Sequence, residues 1–310
     1  MGDISRLNAA SPGDRSQARL VMARDVQGKH ILDTSAWNKL FDDLKRDQLL
    51  QKLRTTVVVP TTLAICELAA TKDPERRQAL VRLVKTVGRN NRPLLMPNQL
   101  MIFACRGYAR RDPVLTLNGG GEAEGAWFAL NNPALLDAEA RRLTLKFNTE
   151  RETIFRRCNE GLRKALQANF SNGVERPHSM SALIRHFGRN DDLIYDFVNS
   201  IYERAVGRAL PRDELRPLIN SLPHWPMFLM SYVCAIYQRA VQEQGFGHNS
   251  NPGNLDLWSA TYLPSCETFI THDTRQRRAL KVINRNSARP ARILPYMEWR
   301  EKLLQACEAD

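Results

Sequence analysis

Two stretches of the chain, far apart, share one pattern: a short apolar run, an acidic residue at its end, then apolar positions at helical spacing. In the first, Lys29-His30-Ile31-Leu32 leads to Asp33, and Trp37, Leu40, Phe41, Leu44, Leu49 and Leu50 follow. This predicts a buried strand and a helix, with the Thr34 and Ser35 hydroxyls able to cap the helix by accepting its first N–H groups. The β-branched run Thr55-Thr56-Val57-Val58-Val59 suits a buried parallel strand, stopped by Pro60. Thr61 or Thr62 can cap the next helix, whose inner surface is Leu63, Cys66, Leu68 and Ala69. Asp73-Pro74 opens another over 75–87, with Arg76, Arg77, Arg82 and Lys85 on its exposed side. Residues 92–96 complete the series as a third strand. In the second stretch, Leu255 to Leu263 predicts a short helix, Thr268-Phe269-Ile270-Thr271 a strand ending in His272-Asp273, Thr274 onward a basic helix, and Arg292-Ile293-Leu294 a last strand before a C-terminal helix.

Alternation of strand and helix argues for an α/β fold around a parallel sheet. Between about 97 and 245 the pattern is helical, clearest over 134–168, 191–209 and 225–244. Turn signals break it at Asn118-Gly119-Gly120-Gly121, Asn131-Asn132-Pro133, Ser171-Asn172-Gly173 and Pro223. The expected organisation is a polar lead-in over 1–28, an α/β core from 29–96 and 246–310, and an all-helical insertion over 97–245. Trp225, Tyr232 and Tyr237 of the insertion fit core positions better than base-stacking ones.

Composition and charge narrow the function. At 43% hydrophobic and 25% charged, the chain is of globular type. No apolar run approaches the roughly 20 residues of a membrane span, and the polar start lacks a secretory core, so the expectation is a cytoplasmic protein with no membrane partner. Cys66, Cys105, Cys158, Cys234, Cys266 and Cys307 contain no Cys-x-x-Cys pair, which favours free thiols over zinc or disulfides. A net charge of +12 favours a polyanion as partner, nucleic acid being the commonest.

Asp33 and Asp273 end two strands of what the pattern makes one sheet; Glu67 lies two turns into a helix and Asp256 opens another. In a parallel sheet these positions can converge at one edge, the edge where open α/β folds bind ligands. Asp256 is also a good N-cap, and Asn254 or Glu267 compete with it for the role. Four gathered carboxylates repel one another, and a hard divalent cation relieves that repulsion; all-oxygen ligation selects Mg²⁺ or Mn²⁺ over zinc. Such an ion supports phosphodiester hydrolysis. The basic run Arg275, Arg277, Arg278 and Lys281 follows the last acidic strand directly and suits phosphate contact. The Gly-x-x-x-x-Gly-Lys-Ser/Thr loop and the Gly-x-Ser-x-Gly elbow are absent, and Ser35 stands where a haloacid-dehalogenase phosphatase needs a second Asp.

Asp33-Thr34-Ser35 after its strand, Val57-Val58-Val59-Pro60 through Cys66-Glu67-Leu68-Ala69, and Asn254-Leu255-Asp256 through Thr271-His272-Asp273 together resemble the motifs of the PIN-domain nucleases. The resemblance covers 29–95 and 254–295. It implies a three-layer α/β/α core binding Mg²⁺ or Mn²⁺, with Asp33, Glu67, Asp256 and Asp273 as metal ligands and Ser35 and Thr271 as supporting site residues. It also implies endonucleolytic hydrolysis, of RNA rather than DNA, leaving a 5′-phosphate. Many small relatives are toxins held by inhibitory protein partners, and family members often form homo-oligomers. The alternatives are a structure-specific DNA nuclease of related fold and a non-catalytic PIN-like module that binds RNA or protein.

Overall fold

The computed structural model describes residues 28–89, 91–111, 191–240 and 254–305, with isolated positions between 131 and 188. The lead-in over 1–27, the helix expected over 134–168 and the turns at 118–121 and 171–173 lie outside these residues, and the turn at 131–133 lies partly outside them. Four strands, β1 (Lys29–Leu32), β2 (Val57–Val58), β3 (Thr268–Thr271) and β4 (Arg292–Pro295), form one sheet in the order β2-β1-β3-β4. Every pairing is parallel, with Ile31 opposite Phe269 and Leu32 opposite Ile270. These four apolar side chains are at most 1% exposed. Successive residues point to opposite faces, so Leu32 and Ile270 enter one apolar cluster and Ile31 and Phe269 another. A strand buried on both faces must be apolar throughout, which is why these runs do not alternate with polar residues.

Two strand expectations are corrected. Residues 92–96 form only a single bridge, Leu94 to Thr61. Pro93, Pro97 and the facing Pro60 bring no N–H, so the ladder is limited to Leu94 N donating to Pro60 O and Thr62 N donating to Leu94 O, both at 2.9 Å. β2 is shorter than 55–59 because the Thr55 and Thr56 amides turn back to the carbonyls of Lys52 and Leu53.

On the first face of the sheet lie α1 (Thr34–Asp42), α2 (Arg46–Lys52), α3 (Thr62–Ala69), α4 (Pro74–Gly88) and the C-terminal α11 (Tyr296–Gln305). Trp37, Leu40, Leu68, Leu80, Val84 and Trp299 close around Leu32 and Ile270 there. Asp73 caps α4 and Pro74 occupies its first turn, as the sequence predicts. Arg77 departs from the expected exposed face: it is 5% exposed and donates to Thr71 O at 2.7 Å. Thr61 caps α3. The cap of α1 is Asp33, not Thr34 or Ser35, and it accepts from Ala36 N.

The second face is covered by α8 (His224–Ala240), α9 (Asn254–Trp258), a 3₁₀ turn (Ser259–Ser265) and α10 (Thr274–Asn284). The single helix expected over 255–263 is thus α9 followed by 3₁₀ geometry, with Pro264 inside the turn. A third cluster joins α5 (Pro97–Arg110), α6 (Asp191–Val206) and α7 (Leu215–Ser221) to α8, through Leu100, Val198, Leu218, Trp225 and Phe228. The described part of 97–245 is helical outside its turns, as expected. Its last helix serves two cores: α8 sends Met227 and Cys234 into the sheet-side cluster and Trp225 and Phe228 into that of the helical lobe. Trp225 is fully buried and Tyr232 stacks on Phe197 with centroids 4.2 Å apart, while the Tyr237 side chain lies outside the described residues. Cys66, Cys105, Cys234 and Cys266 are free thiols. No described helix is long and apolar enough to cross a membrane.

The C-terminal helix holds the loop between α1 and α2. Arg300 Nε lies 2.7 Å from Asp43 Oδ2, and Tyr296 Oη donates to the same oxygen at 3.0 Å. Burial raises the Asp43 carboxyl, but Arg300, the Lys45 N–H and Tyr296 together hold it below the usual range. Its side chain is 7% exposed, so removing it leaves Arg300 without its buried counter-charge. Asp43→Ala is expected to cost about 3 kcal/mol in urea unfolding at pH 7. A carboxyl whose folded pKa is depressed stabilises above its unfolded pKa, so the cost should shrink as the pH falls through and below that range.

Candidate active site

In the order β2-β1-β3-β4, the chain leaves β1 toward β2 on one side and returns to β3 on the other. The C-terminal ends of β1 and β3 therefore flank a switch point, where helices diverge and a crevice opens. Asp33 N donates to Ile270 O at 3.0 Å, which sets the first acidic residue beside the end of β3. A cleft of about 240 Å³ opens there, and among its lining residues are Asp33, Glu67, Asp256 and Asp273. All four carboxylates expected from the sequence thus face one space. Glu267 does not: it accepts from Gly28 N at 2.7 Å and pairs with Arg292, at the opposite end of the sheet.

Each carboxylate is held by its own element. Asp33 Oδ1 accepts from Ala36 N at 2.7 Å and from Ser35 Oγ at 2.8 Å. Ser35 Oγ in turn accepts from His272 N at 2.8 Å, fastening α1 to the end of β3. Glu67 Oε2 accepts from the Thr34 hydroxyl. Asp273 caps α10, its Oδ1 accepting from Arg275 N and Gln276 N at 2.6 and 2.9 Å. Asp256 lies within the first turn of α9 rather than at its cap. Ser35 and Thr271 both hydrogen-bond to Asp33.

Asp33 is strongly perturbed. Burial raises its pKa to about 7 and Asp256 adds to the rise, against hydrogen bonds from Thr271, Ala36 and Ser35. The surrounding bonds fit a neutral acid. Thr271 Oγ1 lies 2.7 Å from Asp33 Oδ2 and 2.6 Å from Gln276 Oε1, yet one hydroxyl has one proton to give. The Gln276 amide is oriented by Nε2 donating to Asp256 O at 3.0 Å. A proton on Asp33 completes the chain, passing a hydrogen bond to Thr271 and from Thr271 to Gln276.

Gln276, 1% exposed, is the site residue the sequence reading missed. Its signal is Asp273-x-x-Gln276, the spacing of a capping box, although its side chain reaches Thr271 and Asp256 instead of closing on the Asp273 amide. Asn38 and Tyr262 also line the cleft. Asn38 is held by the Thr34 carbonyl and Arg76, and Tyr262 donates to Leu95 O at 2.9 Å. Of the basic residues on α10, Arg275, Arg278 and Lys281 are exposed and Arg277 is half-buried.

The lining residues include no lysine and no arginine. Their donors toward a ligand are carboxylate, hydroxyl and amide oxygens, the chemistry of a hard divalent cation. Among the described residues no three His, Cys, Asp or Glu side chains draw together into a compact ligand cluster; the carboxylates line the walls of the cleft. Comparison with family models, with curated proteins and with solved structures finds no match to this chain.

A carboxyl whose folded pKa is raised destabilises the fold as pH climbs between its unfolded and folded values, because the buried group must then ionise. Asparagine resembles the neutral acid without that penalty. Asp33→Asn is therefore expected to melt higher than wild type at pH 8 in EDTA, by up to about 4 kcal/mol for a rise of three pH units. The difference should vanish near pH 4, and a variant less stable at pH 8 would refute the account of this group.

Proposed function

We propose that this chain is a metal-dependent endoribonuclease with a PIN-like, three-layer α/β/α core, acting on RNA in the cytoplasm. The observation that carries it is a cleft at the sheet switch point lined by four carboxylates and by no cationic side chain. Asp33, Glu67, Asp256 and Asp273 would hold Mg²⁺ or Mn²⁺. The bound ion supplies a polarised phosphate oxygen and a water acidic enough to attack near neutral pH.

The protein's own groups do the rest. Ser35 and Thr271 orient Asp33, the Thr34 hydroxyl orients Glu67, and Gln276 spans from the end of β3 to the start of α9. Ile31, Leu63 and Phe269 give the cleft an apolar floor, which strengthens each electrostatic contact made above it. Arg275, Arg278 and Lys281, exposed on the helix that Asp273 caps, suit backbone phosphates flanking the cleavage point. The choice of RNA rests on the family resemblance.

Labelled single-stranded RNA and DNA, incubated with Mn²⁺, Mg²⁺ or EDTA, test this directly. The expected result is RNA cleavage that needs the metal, leaves a 5′-phosphate and falls at least about 100-fold in Asp33→Asn, the loss typical of removing one charge-stabilising group. Cutting of DNA alone would move the assignment to a DNA nuclease, and cutting that survives both EDTA and the substitution would overturn the mechanism. A separate prediction concerns affinity. A proton on Asp33 competes with the metal, so Mn²⁺ binding by calorimetry should tighten up to tenfold per pH unit below about 7 and level off above it.

A further inference from the structure

We infer that the far end of the helical lobe is a second contact surface for the nucleic-acid strand, built from Arg106, Arg110 and Arg111 of α5 and Arg204 and Arg208 of the α6 terminus. This rests on the nuclease reading and extends it from cutting to gripping. All five arginines are exposed, and none is paired with a carboxylate among the described residues.

The packing of the lobe gathers them. Arg106 Nε donates to Ala205 O at 3.1 Å, which brings the last turns of α5 and α6 side by side, with Ala109 and Val206 in one apolar cluster beneath. Arg106 and Arg110 sit one turn apart on the same face, a spacing at which like charges destabilise a helix. Arg111 closes α5 in the left-handed region, at φ 55°, a place that favours glycine. Gly207, at φ 80°, ends α6 with its N–H on Glu203 O, so Arg208 leaves the helix axis.

Stability alone does not explain this arrangement. A basic side chain near a helix C-terminus relieves its dipole and its open carbonyls, and Arg106 does so through Ala205 O. Arg110, Arg111, Arg204 and Arg208 add repulsion beyond that need. Glu203, Asp213 and Glu214 lie nearby, with Glu214 engaged by the Tyr108 hydroxyl, and the arginines outnumber them. Planar guanidinium groups match phosphate oxygens two at a time. A lipid surface fits less well, because the large exposed hydrophobics among the described residues are Leu44, Val57 and Met297, none of them on the lobe.

The reach is suitable. α5 starts two residues after Leu95, whose carbonyl accepts from the cleft-lining Tyr262. Its 14 residues put the arginine end about 20 Å away. That span is about six base pairs of a duplex.

Fluorescence anisotropy in EDTA, where nothing is cut, tests the surface with a 20-nucleotide RNA hairpin and a four-nucleotide RNA over a salt series. The test variant carries Arg110→Gln, Arg111→Gln, Arg204→Gln and Arg208→Gln, with Arg106 kept as the tie between helices. A control variant removes the same charge elsewhere through Arg54→Gln, Lys72→Gln, Arg82→Gln and Lys85→Gln. The test variant should lose at least about tenfold in hairpin affinity near 0.1 M salt, with a log K against log [salt] slope shallower by about two or more. The control should keep its hairpin affinity, and the test variant should keep wild-type affinity for the short RNA. Unchanged hairpin binding, an equal loss in the control, or an equal loss on the short RNA would each overturn the inference. Should the fourfold variant melt early, the Arg204→Gln/Arg208→Gln pair carries the test, with a slope change of about one or none deciding it. Because binding is read without cleavage, failure of this surface is distinct from failure of the nuclease reading.

Discussion

The pairing of β1 with β3 is the constraint on which the site depends. It joins segments more than two hundred residues apart, since Thr271 meets Asp33 across a separation of 238 positions. Two consecutive apolar pairs in the middle of the sheet, Ile31 with Phe269 and Leu32 with Ile270, maintain that register, and the register sets both acidic ends at one level. A slip of one residue would turn Ile31 and Leu32 to the wrong faces and carry Asp33 away from Thr271. The two interleaved cores therefore fix the geometry of the carboxylates as well as the fold.

The architecture of the core was legible because its signals are local and strong. Ile31-Leu32 and Phe269-Ile270 are apolar, bounded and too short for helices, and Asp73-Pro74 is a helix start in almost any context. Each departure has its own physical cause. Residues 92–96 have strand-like side chains, but three prolines deprive that edge of donors. Charge predicts an exposed Arg77, whereas its long stem is buried and its head finds a carbonyl at 2.7 Å.

The convergence of Asp33, Glu67, Asp256 and Asp273 was anticipated, because strand ends in a parallel sheet share an edge. The bonds that hold them were not. Which of Thr34, Ser35 and Asp33 caps α1 depends on backbone direction at one residue, and three plausible caps in a row give no preference. Gln276 was hidden for a different reason: its partners are 5 and 20 positions away, and no periodicity predicts contacts across elements. The midsection was legible as helical but not as a contributor to the sheet's second face, since a helix serving two cores is apolar on more than one side and its pattern loses its single stripe.

The order of the strands has a consequence for how the molecule comes into being. β1 and β2 leave the ribosome early, but β1 has no neighbour on its other side until residues 268–295 have been made. In the interval the helices of the midsection, whose contacts are more local, can consolidate, while the first two strands wait with one open edge. The acidic cleft does not exist during that wait, because Asp33 and Asp273 meet only when the sheet closes. A chain still being translated therefore lacks the assembled cleft until residues 268–273 have been made and have paired with β1.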